Sequence, residues 1–419
     1  MKIGVGKRTL PSPIGEYLGG FASRTEPCKG VLDDLFVKAA LFKDRGNTFL
    51  IVSLDVVCLN TALSDEIRQM ICSSFGIKTE SILLATSHTH SGPEIRTGFK
   101  WLPDFRSCTP GYISQVKECI LESVELALSD LEEVHLFYGI GQSDIGVNRR
   151  LPLNGKIIFG PNPQGPVDKD VPVIKGVVED GTIKVILFSY ACHPSAMASS
   201  FATTDYVGAA YRLIERTLGT TALFLQGFGG NIKTDITEGK KFKEAEYEGV
   251  IALGERLGRE VIKACNSPMD EIEPNLYSAS VKVSIPFSRI PDNEEIEEKL
   301  KNGNIYEKSW AASIKDERIL PKHIDMEIQR IDLGTELSIL ALSAEPVIEY
   351  LPLLRNIVTN MRIVPIGYSN GVIGYVGVSE HYKEGGYEVE GWYIHYLYPS
   401  PFAPQIQDII LQGVQRLYA

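Results

Sequence analysis

The sequence predicts an α/β protein in which mixed, largely buried β-sheets are flanked by helices and the active site lies at the carboxyl ends of strands. Short continuous runs of Val, Ile, Leu and Phe are typical of strands that are covered on both faces. These runs alternate with helix-length segments in which apolar residues recur every three or four positions. No repeat or clear boundary interrupts this alternation, so residues 1–419 are interpreted as one domain.

Seven segments carry the strand pattern, because each is rich in β-branched and aliphatic residues and ends at polar or turn residues. In chain order the predicted strands are 48–57, 82–85, 134–139, 183–190, 222–225, 337–342 and 362–366. The stretch 285–322 is rich in Pro and charge, and we expect it to form a peripheral excursion from the sheets.

Six segments carry the helical pattern and lie between the strands. In chain order the predicted helices are 64–75, 111–131, 205–218, 242–265, 293–302 and 405–418. In the first helix Ile67 and Ile71 share one face, and Gly76 supplies a stop signal. In the second helix Val116 and Ile120 repeat at the same spacing.

The composition argues against several classes of protein. The chain has 42 Lys and Arg against 53 Asp and Glu, a net charge of −11, and no basic cluster of the kind that binds nucleic-acid phosphates. A hydrophobic content of 44% with 23% charged residues is ordinary for a globular protein and excludes wholesale disorder. No apolar run approaches the roughly 18 residues that a membrane span needs, so no transmembrane segment is predicted.

The cysteines and the amino terminus indicate a cellular compartment. The seven cysteines are odd in number, scattered along the chain and without a CxxC pair, which favours reduced thiols over a disulfide framework. The first residues also lack the apolar core of a signal peptide. Both features predict a cytoplasmic location, whereas nothing in the sequence predicts the oligomeric state.

Five of the predicted strands end in residues that commonly bind metals or substrates. They are His88 and His90 after the second strand, His193 after the fourth, Lys233 after the fifth, Glu345 after the sixth and Tyr375 after the seventh. Functional sites of α/β sheets are built at the carboxyl ends of strands. We therefore expect these side chains to meet in one site.

The histidines suggest a metal. His88 and His90 are one residue apart, so in an extended segment both rings lie on the same side. With His193 and the carboxylate of Glu345 they form a donor set typical of catalytic zinc. One Zn²⁺ per chain is predicted, and it would activate a water and polarise a carbonyl group. The alternative is that these histidines are structural residues that hydrogen-bond within the core.

Short blocks of sequence, in a fixed order over nearly the whole chain, point to a family. The blocks are GVGK at 4–7, SLD at 53–55, THSGP at 89–93, NRR at 148–150, CHP at 192–194, TDYVG at 204–208, SAEP at 343–346 and the late stretch SNGVIGYVGVSEHYKEGGYE. Together they resemble the catalytic domain of the neutral, non-lysosomal ceramidases. The chain resembles a compact bacterial-type member without the family's C-terminal immunoglobulin-like domain.

The resemblance implies a zinc-dependent hydrolase that cleaves an amide or related acyl bond of a small-molecule or lipid-like substrate. It assigns the zinc to His88, His193, Glu345 and Tyr375. It further implies that a metal-activated water attacks the carbonyl, that His90 and Tyr387 stabilise the oxyanion, and that Arg149 points into the site.

One turn departs from the family pattern. Where the family has a serine, in a turn that reads roughly Gly-Asp-Val-Ser-Pro, this chain has Asn231 and Lys233 in the sequence GNIKTD. Lys233 could stabilise an anionic group or intermediate, it could abolish hydrolysis and leave a ligand-binding protein, or it could be a solvated turn residue. A further alternative is a metal hydrolase for a soluble ester, phosphoester or carbohydrate derivative.

The long loop at 97–109 directly follows the histidine pair and contains Trp101, Phe105 and Arg106. Long loops beside a site are usually functional. We expect this loop to line the substrate pocket.

Overall fold

The computed structural model describes residues 1–98, 106–317 and 319–419. The strands in the first half of the chain are β1 (Lys2–Thr9), β2 (Gly30–Val31), β3 (Phe36–Asp44), β4 (Asn47–Leu54), β5 (Ile82–Thr86), β6 (Glu132–Glu133), β7 (His135–Gln142), β8 (Gly146–Leu153), β9 (Lys156–Asn162), β10 (Asp170–Val177), β11 (Ile183–Tyr190) and β12 (Phe201–Ala202). Those in the second half are β13 (Thr221–Gln226), β14 (Ile232–Thr234), β15 (Thr237–Glu238), β16 (Lys241–Phe242), β17 (Asp270–Ile272), β18 (Pro274–Pro286), β19 (His323–Gly334), β20 (Leu337–Leu342), β21 (Glu345–Pro346), β22 (Arg362–Ile366) and β23 (Tyr375–Val376).

The α-helices lie between these strands. They are α1 (Thr61–Phe75), α2 (Pro110–Ser129), α3 (Asp205–Leu218), α4 (Tyr247–Cys265), α5 (Asn293–Asn302), α6 (Ile305–Asp316), α7 (Tyr350–Ile357), α8 (His381–Glu384), α9 (Tyr387–Glu390) and α10 (Ile406–Tyr418).

Two five-stranded sheets pack face to face between two layers of helices. The first has the order β5-β4-β3-β1-β6 and carries α1 and α2 on its outer face, while the second has the order β13-β11-β10-β7-β17 and carries α3 and α4. Along β4, Leu50 faces the helices and Ile51 faces the other sheet. Both faces of the sheets are therefore buried, which explains the continuous apolar runs and confirms the predicted fold class.

A four-stranded sheet, β18-β19-β20-β22, closes the molecule at one end. One of its faces, represented by Ile331 and Ile339, joins the core between the first two sheets. The opposite face, represented by Ile328 and Leu340, packs with α7 and α10. The three sheets thus share apolar cores, and their strand ends are held close to one another.

Each main sheet contains one parallel pair of strands, namely β4 with β5, β11 with β13, and β20 with β22. These pairs include all five strands whose ends were predicted to build the site. The segment after β22 bridges to β5 through Ala85 and Ser369. In the same segment, the Gly367 N–H donates a hydrogen bond of 3.0 Å to the carbonyl of Gln226 at the end of β13. These bonds bring the carboxyl ends of the three pairs together.

The predicted strands and helices begin and end within three residues of the observed ones, except at the start of one helix. The predicted helix 242–265 begins later, at Tyr247, because Phe242 pairs with Thr237 in a β-hairpin instead. The predicted excursion at 285–322 contains α5 and α6, which pack on their own small apolar cluster around Trp310.

A buried ion pair connects α1 to the third sheet. The Arg68 guanidinium donates to both carboxylate oxygens of Glu327, at 2.8 and 3.1 Å, and also to the carbonyl of Thr79. Both charged side chains are more than nine-tenths buried. The contact is therefore bidentate and shielded from water, which strengthens it relative to a surface pair.

We expect Arg68→Met to lower the free energy of unfolding by about 3–5 kcal/mol, because it leaves the Glu327 carboxylate buried without a counter-charge. The double variant R68M/E327M should regain most of this loss. Arg259→Met is the control, since its pair with Glu255 is largely exposed and should contribute less than about 0.5 kcal/mol. Urea denaturation followed by circular dichroism measures all three, and a loss in R68M no larger than in R259M would contradict the prediction.

Candidate metal centre

The loop after β5 brings His88 and His90 together by a different route from the one predicted. His88 has a φ of 61°, so the chain is not extended there and the expected alternation of side chains does not apply. The two Nε2 atoms nevertheless lie 3.2 Å apart. A non-glycine residue in this backbone conformation is strained, and such residues concentrate at functional sites.

His88 and His193 are both held through their Nδ1 atoms. Nδ1 of His88 lies 2.6 Å from the carbonyl of Val57, and Nδ1 of His193 lies 2.6 Å from the carbonyl of Gly229. Because a carbonyl only accepts, each Nδ1 carries the proton and each Nε2 presents a lone pair. This tautomer and fixed orientation are typical of metal-ligating histidines. His90 differs, since its buried Nδ1 has no hydrogen-bond partner.

Glu345 and Tyr375 are direct partners in the short parallel pair β21 and β23. The Oε2 atom of Glu345 lies 3.5 Å from Nε2 of His88 and 3.4 Å from Nε2 of His193. The Tyr375 hydroxyl lies 3.2 Å from Nε2 of His193. The structure therefore brings all four residues that were expected to bind the metal into one cluster.

The carboxylate of Glu345 is only half satisfied. Its Oε1 accepts a hydrogen bond from the Tyr396 hydroxyl at 3.1 Å, whereas its buried Oε2 has no hydrogen-bond donor. The neighbouring Nε2 atoms of His88 and His193 present lone pairs and do not donate to it. A buried carboxylate oxygen in this setting calls for a cation.

The spacing of the donor atoms suits a small divalent ion. Nitrogen and oxygen ligands at about 2.0–2.1 Å from a tetrahedral metal are separated from one another by roughly 3.3–3.4 Å, and the contacts described above span 3.2–3.5 Å. The three imidazoles also form a group whose ligand atoms all lie within 4.8 Å of one another. The site could therefore hold a metal ion.

The imidazoles are neutral at physiological pH. Burial lowers the pKa of His88 to about 3, against the opposing charge of Glu345. Burial also lowers the pKa of His90 and of His193 well below the ordinary value, and the nearby positive charge of Arg149 lowers that of His193 further. Neutral imidazole is the form that binds metals.

Arg149 lies against the cluster from the side of β8. Its Nε donates to Glu388 at 2.8 Å, and Arg150 Nη1 donates to the other oxygen of the same carboxylate at 2.9 Å. Burial alone would lower the pKa of Arg149, but Tyr375 and Glu388 outweigh it and raise the pKa, so the guanidinium stays charged. Its buried Nη2 has no hydrogen-bond partner.

Tyr387 begins α9 directly after Gly386, which has a φ of 105°. A Cβ on Gly386 would lie 2.9 Å from Nη1 of Arg150, so only glycine allows this close approach. The Tyr387 ring lies 5.5 Å from that of Tyr375 and is 36% exposed. Burial raises the pKa of Tyr387, so its hydroxyl stays protonated and can donate a hydrogen bond.

Lys233 lies beside His193, to which it is joined by an isolated parallel β-bridge. Its ammonium donates to the hydroxyl of Ser195 at 2.9 Å and to the carbonyl of the same residue. Burial lowers the pKa of Lys233, and the charge of Asp205 opposes this effect. Lys233 is thus a half-buried, hydrogen-bonded residue of the site's surroundings.

A cleft of about 180 Å³ opens onto the cluster. Among the residues that line it are His88, His90, Glu345, Tyr375, Tyr387, Glu94, Arg96 and Arg106. Arg106 belongs to the loop that was expected to line the pocket, while Trp101 and Phe105 lie outside the described residues. Gly20 packs so closely on His90 that a Cβ there would lie 2.5 Å from the ring.

Two tyrosines outside the predicted set of metal ligands and catalytic residues contact the cluster. Tyr396 donates to Glu345, and the ring of Tyr368 lies 4.1 Å from that of His88. Tyr368 follows one of the strands whose ends were predicted to meet. Tyr396 lies in an aromatic run, WYIHYLY, where spacing does not separate a site residue from a packing residue.

Within the described ranges, no helix combines the length and the apolar character that crossing a membrane requires.

Comparisons with known proteins agree with the fold and show the family. Residues 1–246 match the family model described as neutral/alkaline non-lysosomal ceramidase, N-terminal. A neutral ceramidase from Pseudomonas aeruginosa is 23% identical over 314 residues, which cover 70% of this chain and 46% of that protein. The chain thus spans about half the length of this curated relative.

Two solved structures share the fold. The crystal structure of neutral ceramidase from Pseudomonas aeruginosa superposes with a TM-score of 0.79 at 18% identity, covering 100% of this chain and 74% of that one. A structure described as ceramidase complexed with C2 gives a TM-score of 0.80 at 18% identity, covering 99% and 75%. The resemblance drawn from the sequence blocks is confirmed.

We expect the metal-free protein to bind zinc or cobalt ions and to melt at a higher temperature when it does, because an ion that binds only the folded state stabilises it. His193→Ala should abolish both the binding and the shift. His135→Ala is the matched control, because His135 is exposed and pairs with Glu271 away from the cluster. Elemental analysis and thermal denaturation measure the effects, and equal metal content in both variants would contradict the prediction.

The pH dependence of metal retention provides a second check. Protons compete with the metal for Nε2, so a lowered imidazole pKa means that more acid is needed to displace it. We expect the metal to stay bound as the pH falls through about 6.5, the ordinary imidazole value, and to leave nearer the pKa of about 3 at His88. The metal content is measured after dialysis at each pH. Metal release with a midpoint at or above about pH 6.5, the ordinary pKa of imidazole, would contradict the prediction.

Proposed function

This chain belongs to the neutral/alkaline non-lysosomal ceramidase family, and on that basis we propose that it is a zinc-dependent hydrolase of an amide or related acyl bond. The observation that carries the proposal is the buried Oε2 of Glu345, which has no donor and faces the Nε2 atoms of two histidines. The proposal treats residues 1–419 as one catalytic domain. It includes a cytoplasmic location, supported by seven unpaired thiols.

The proposed zinc ligands are His88, His193, Glu345 and Tyr375. Imidazole and carboxylate donors at tetrahedral spacing favour zinc among the common divalent ions. His90 is left out of the ligand set because its Nδ1 lacks the fixing hydrogen bond that His88 and His193 have. When bound, zinc supplies Lewis-acid chemistry that polarises a carbonyl and lowers the pKa of water to about 7.

The surrounding side chains supply hydrogen-bond donors for the oxyanion that forms when a carbonyl is attacked. Nε2 of His90 lies 3.2 Å from Nε2 of His88, and Tyr387, whose hydroxyl stays protonated, lines the same cleft. Arg149 adds a permanent charge behind Tyr375, with its guanidinium 5.3 Å from that ring. Donors placed in advance around such an oxygen are commonly the largest contribution to acyl-transfer catalysis.

Lys233 occupies the position of the family's serine and supplies a charge in place of a hydroxyl. We propose that it stabilises an anionic group or intermediate and that no nucleophile comes from this turn. Its place beside His193 and its half-buried ammonium support this role.

Two other functions follow from particular features of the chain. A ligand-binding protein without catalysis is favoured by the loss of the serine at Lys233. A metal hydrolase for a soluble ester, phosphoester or carbohydrate derivative is favoured by the charged lining of the cleft, which includes Glu94, Arg96 and Arg106. A substrate panel separates them from the main proposal.

The test is hydrolysis of ceramide in detergent micelles and of short N-acyl amines by the zinc-loaded protein. We expect His90→Ala and Tyr387→Phe to lower kcat by about 10²–10³-fold each, because each removes a donor to the oxyanion, and to leave the zinc content unchanged. Tyr277→Phe, an exposed tyrosine on β18, is the matched control.

Loss of zinc from His90→Ala would move His90 into the ligand set. Turnover of esters alone would favour the soluble-substrate hydrolase. No turnover by the zinc-loaded protein, with all three substrate classes, would favour the binding protein.

A further inference from the structure

The face of the site formed by β8 and β14 carries two cations, Arg149 and Lys233, that are not among the proposed metal ligands. Lys233 pairs with Val147, and Arg149 N–H donates to Asn231 C=O at 2.9 Å. This register makes Arg149 and Lys233 diagonal neighbours on adjacent strands. In a regular ladder the Cα atoms of such residues are about 7–8 Å apart. Lys233 adjoins His193 through the β-bridge, and the Arg149 guanidinium lies 5.3 Å from the ring of Tyr375, which stacks on that of His193.

Both cations retain free hydrogen-bonding capacity. Arg149 Nη2 is buried and has no partner. Lys233 uses two of its three N–H groups on Ser195, and in the described part of the chain it lies within ion-pair distance of no carboxylate. A buried donor without an acceptor is costly unless a ligand supplies one.

The nearby acidic groups are already occupied. Glu388 is shared between Arg149 and Arg150, at 2.8 and 2.9 Å. Asp205 accepts from the backbone N–H groups of Ala196 and Tyr206, at 2.9 and 2.7 Å. In the described residues no carboxylate forms an ion pair with Lys233, so its ammonium and the unpartnered Nη2 of Arg149 remain available to an anionic ligand beside the place where the metal would bind.

Aromatic rings cover the same face and reach the solvent. The Arg149 guanidinium lies 5.2 Å from the ring of Phe159, the Lys233 ammonium lies 5.9 Å from that of Phe242, and the two rings are 5.5 Å apart. Phe159 is 54% exposed. A molecule approaching here would meet apolar rings first and the two cations beneath them.

We propose that Arg149 and Lys233 bind a carboxylate of the substrate, and that the chain hydrolyses acylated amines that carry such a group, with N-acyl amino acids as the substrate class. The inference rests on the proposed function. In the reaction water adds to the amide carbonyl, the C–N bond breaks, and the products are a fatty acid and a free amino acid whose nitrogen takes up the proton. The carboxyl carbon of an N-acyl amino acid lies two bonds from that nitrogen, so a cation that binds it must adjoin the metal cluster, as Arg149 does at Tyr375 and Lys233 does at His193.

The test compares two substrates that differ in one group. N-lauroylglycine carries a carboxylate where N-lauroylethanolamine carries a hydroxymethyl group. We expect the zinc-loaded protein to hydrolyse N-lauroylglycine with a kcat/KM at least tenfold higher, measured as released lauric acid. Lys233→Met should reduce this preference at least tenfold, mainly through KM, and Lys233→Arg should keep most of it.

Lys241→Met is the matched control, because it removes the same charge from an exposed position in the neighbouring hairpin. It should leave the preference unchanged. The zinc content of every variant is measured alongside, so that loss of metal is not mistaken for loss of the anion site. An equal or higher kcat/KM for the ethanolamine derivative, in wild type and in Lys233→Met alike, would overturn the inference while leaving the hydrolase proposal intact.

Calorimetric binding of the same two compounds keeps the inference testable if neither is hydrolysed. Tighter binding of N-lauroylglycine that is lost in Lys233→Met would support the carboxylate site, and the hydrolase proposal alone would fail. Equal affinities for the two compounds would overturn the carboxylate site.

Discussion

The buried carboxylate of Glu345 is the interaction on which the rest of the site depends. An anionic oxygen that faces two imidazole lone pairs is repelled by its own surroundings, so the fold must hold it there. The pairing of β21 with β23 fixes the backbone, and Tyr396 fixes the other carboxylate oxygen. The carbonyls of Val57 and Gly229 fix the two rings. A cation at the centre would convert this repulsion into attraction.

The fold was predictable where burial on both faces produced an unbroken signal. The elements whose predicted and observed ends coincide are β11, β20, β22, α3 and α5. The long antiparallel pair β18 and β19 was missed because continuous apolar runs do not mark it: both strands alternate polar and apolar residues, as in SASVKVSI and IDMEIQ. That alternation is also a strand signal, typical of strands with one solvated face, and it fits the position of β18 at the edge of its sheet.

The sequence predicts which residues form the site better than it predicts how they are arranged. His88, His193 and Glu345 could be read from strand ends because the carboxyl edge of a sheet collects such residues. The positive φ of His88 could not, since it depends on contacts that the loop makes after it folds. Nor could the sequence predict the hydrogen-bond partners that set the tautomers of His88 and His193 and hold the carboxylate of Glu345. Tyr396 is one aromatic residue among many until the structure places its hydroxyl on Glu345.

The nitrogen-bearing and the oxygen-bearing side chains of the site come from different parts of the chain. The nitrogen side chains, His88, His90, Arg149, His193 and Lys233, all lie within residues 1–246, the part that matches the family model. The oxygen side chains, Glu345, Tyr375 and Tyr387, all follow it. Neither stretch alone therefore carries a complete site, because the first lacks the carboxylate and the second lacks the site's imidazoles. The two stretches must fold together before the donor atoms can meet.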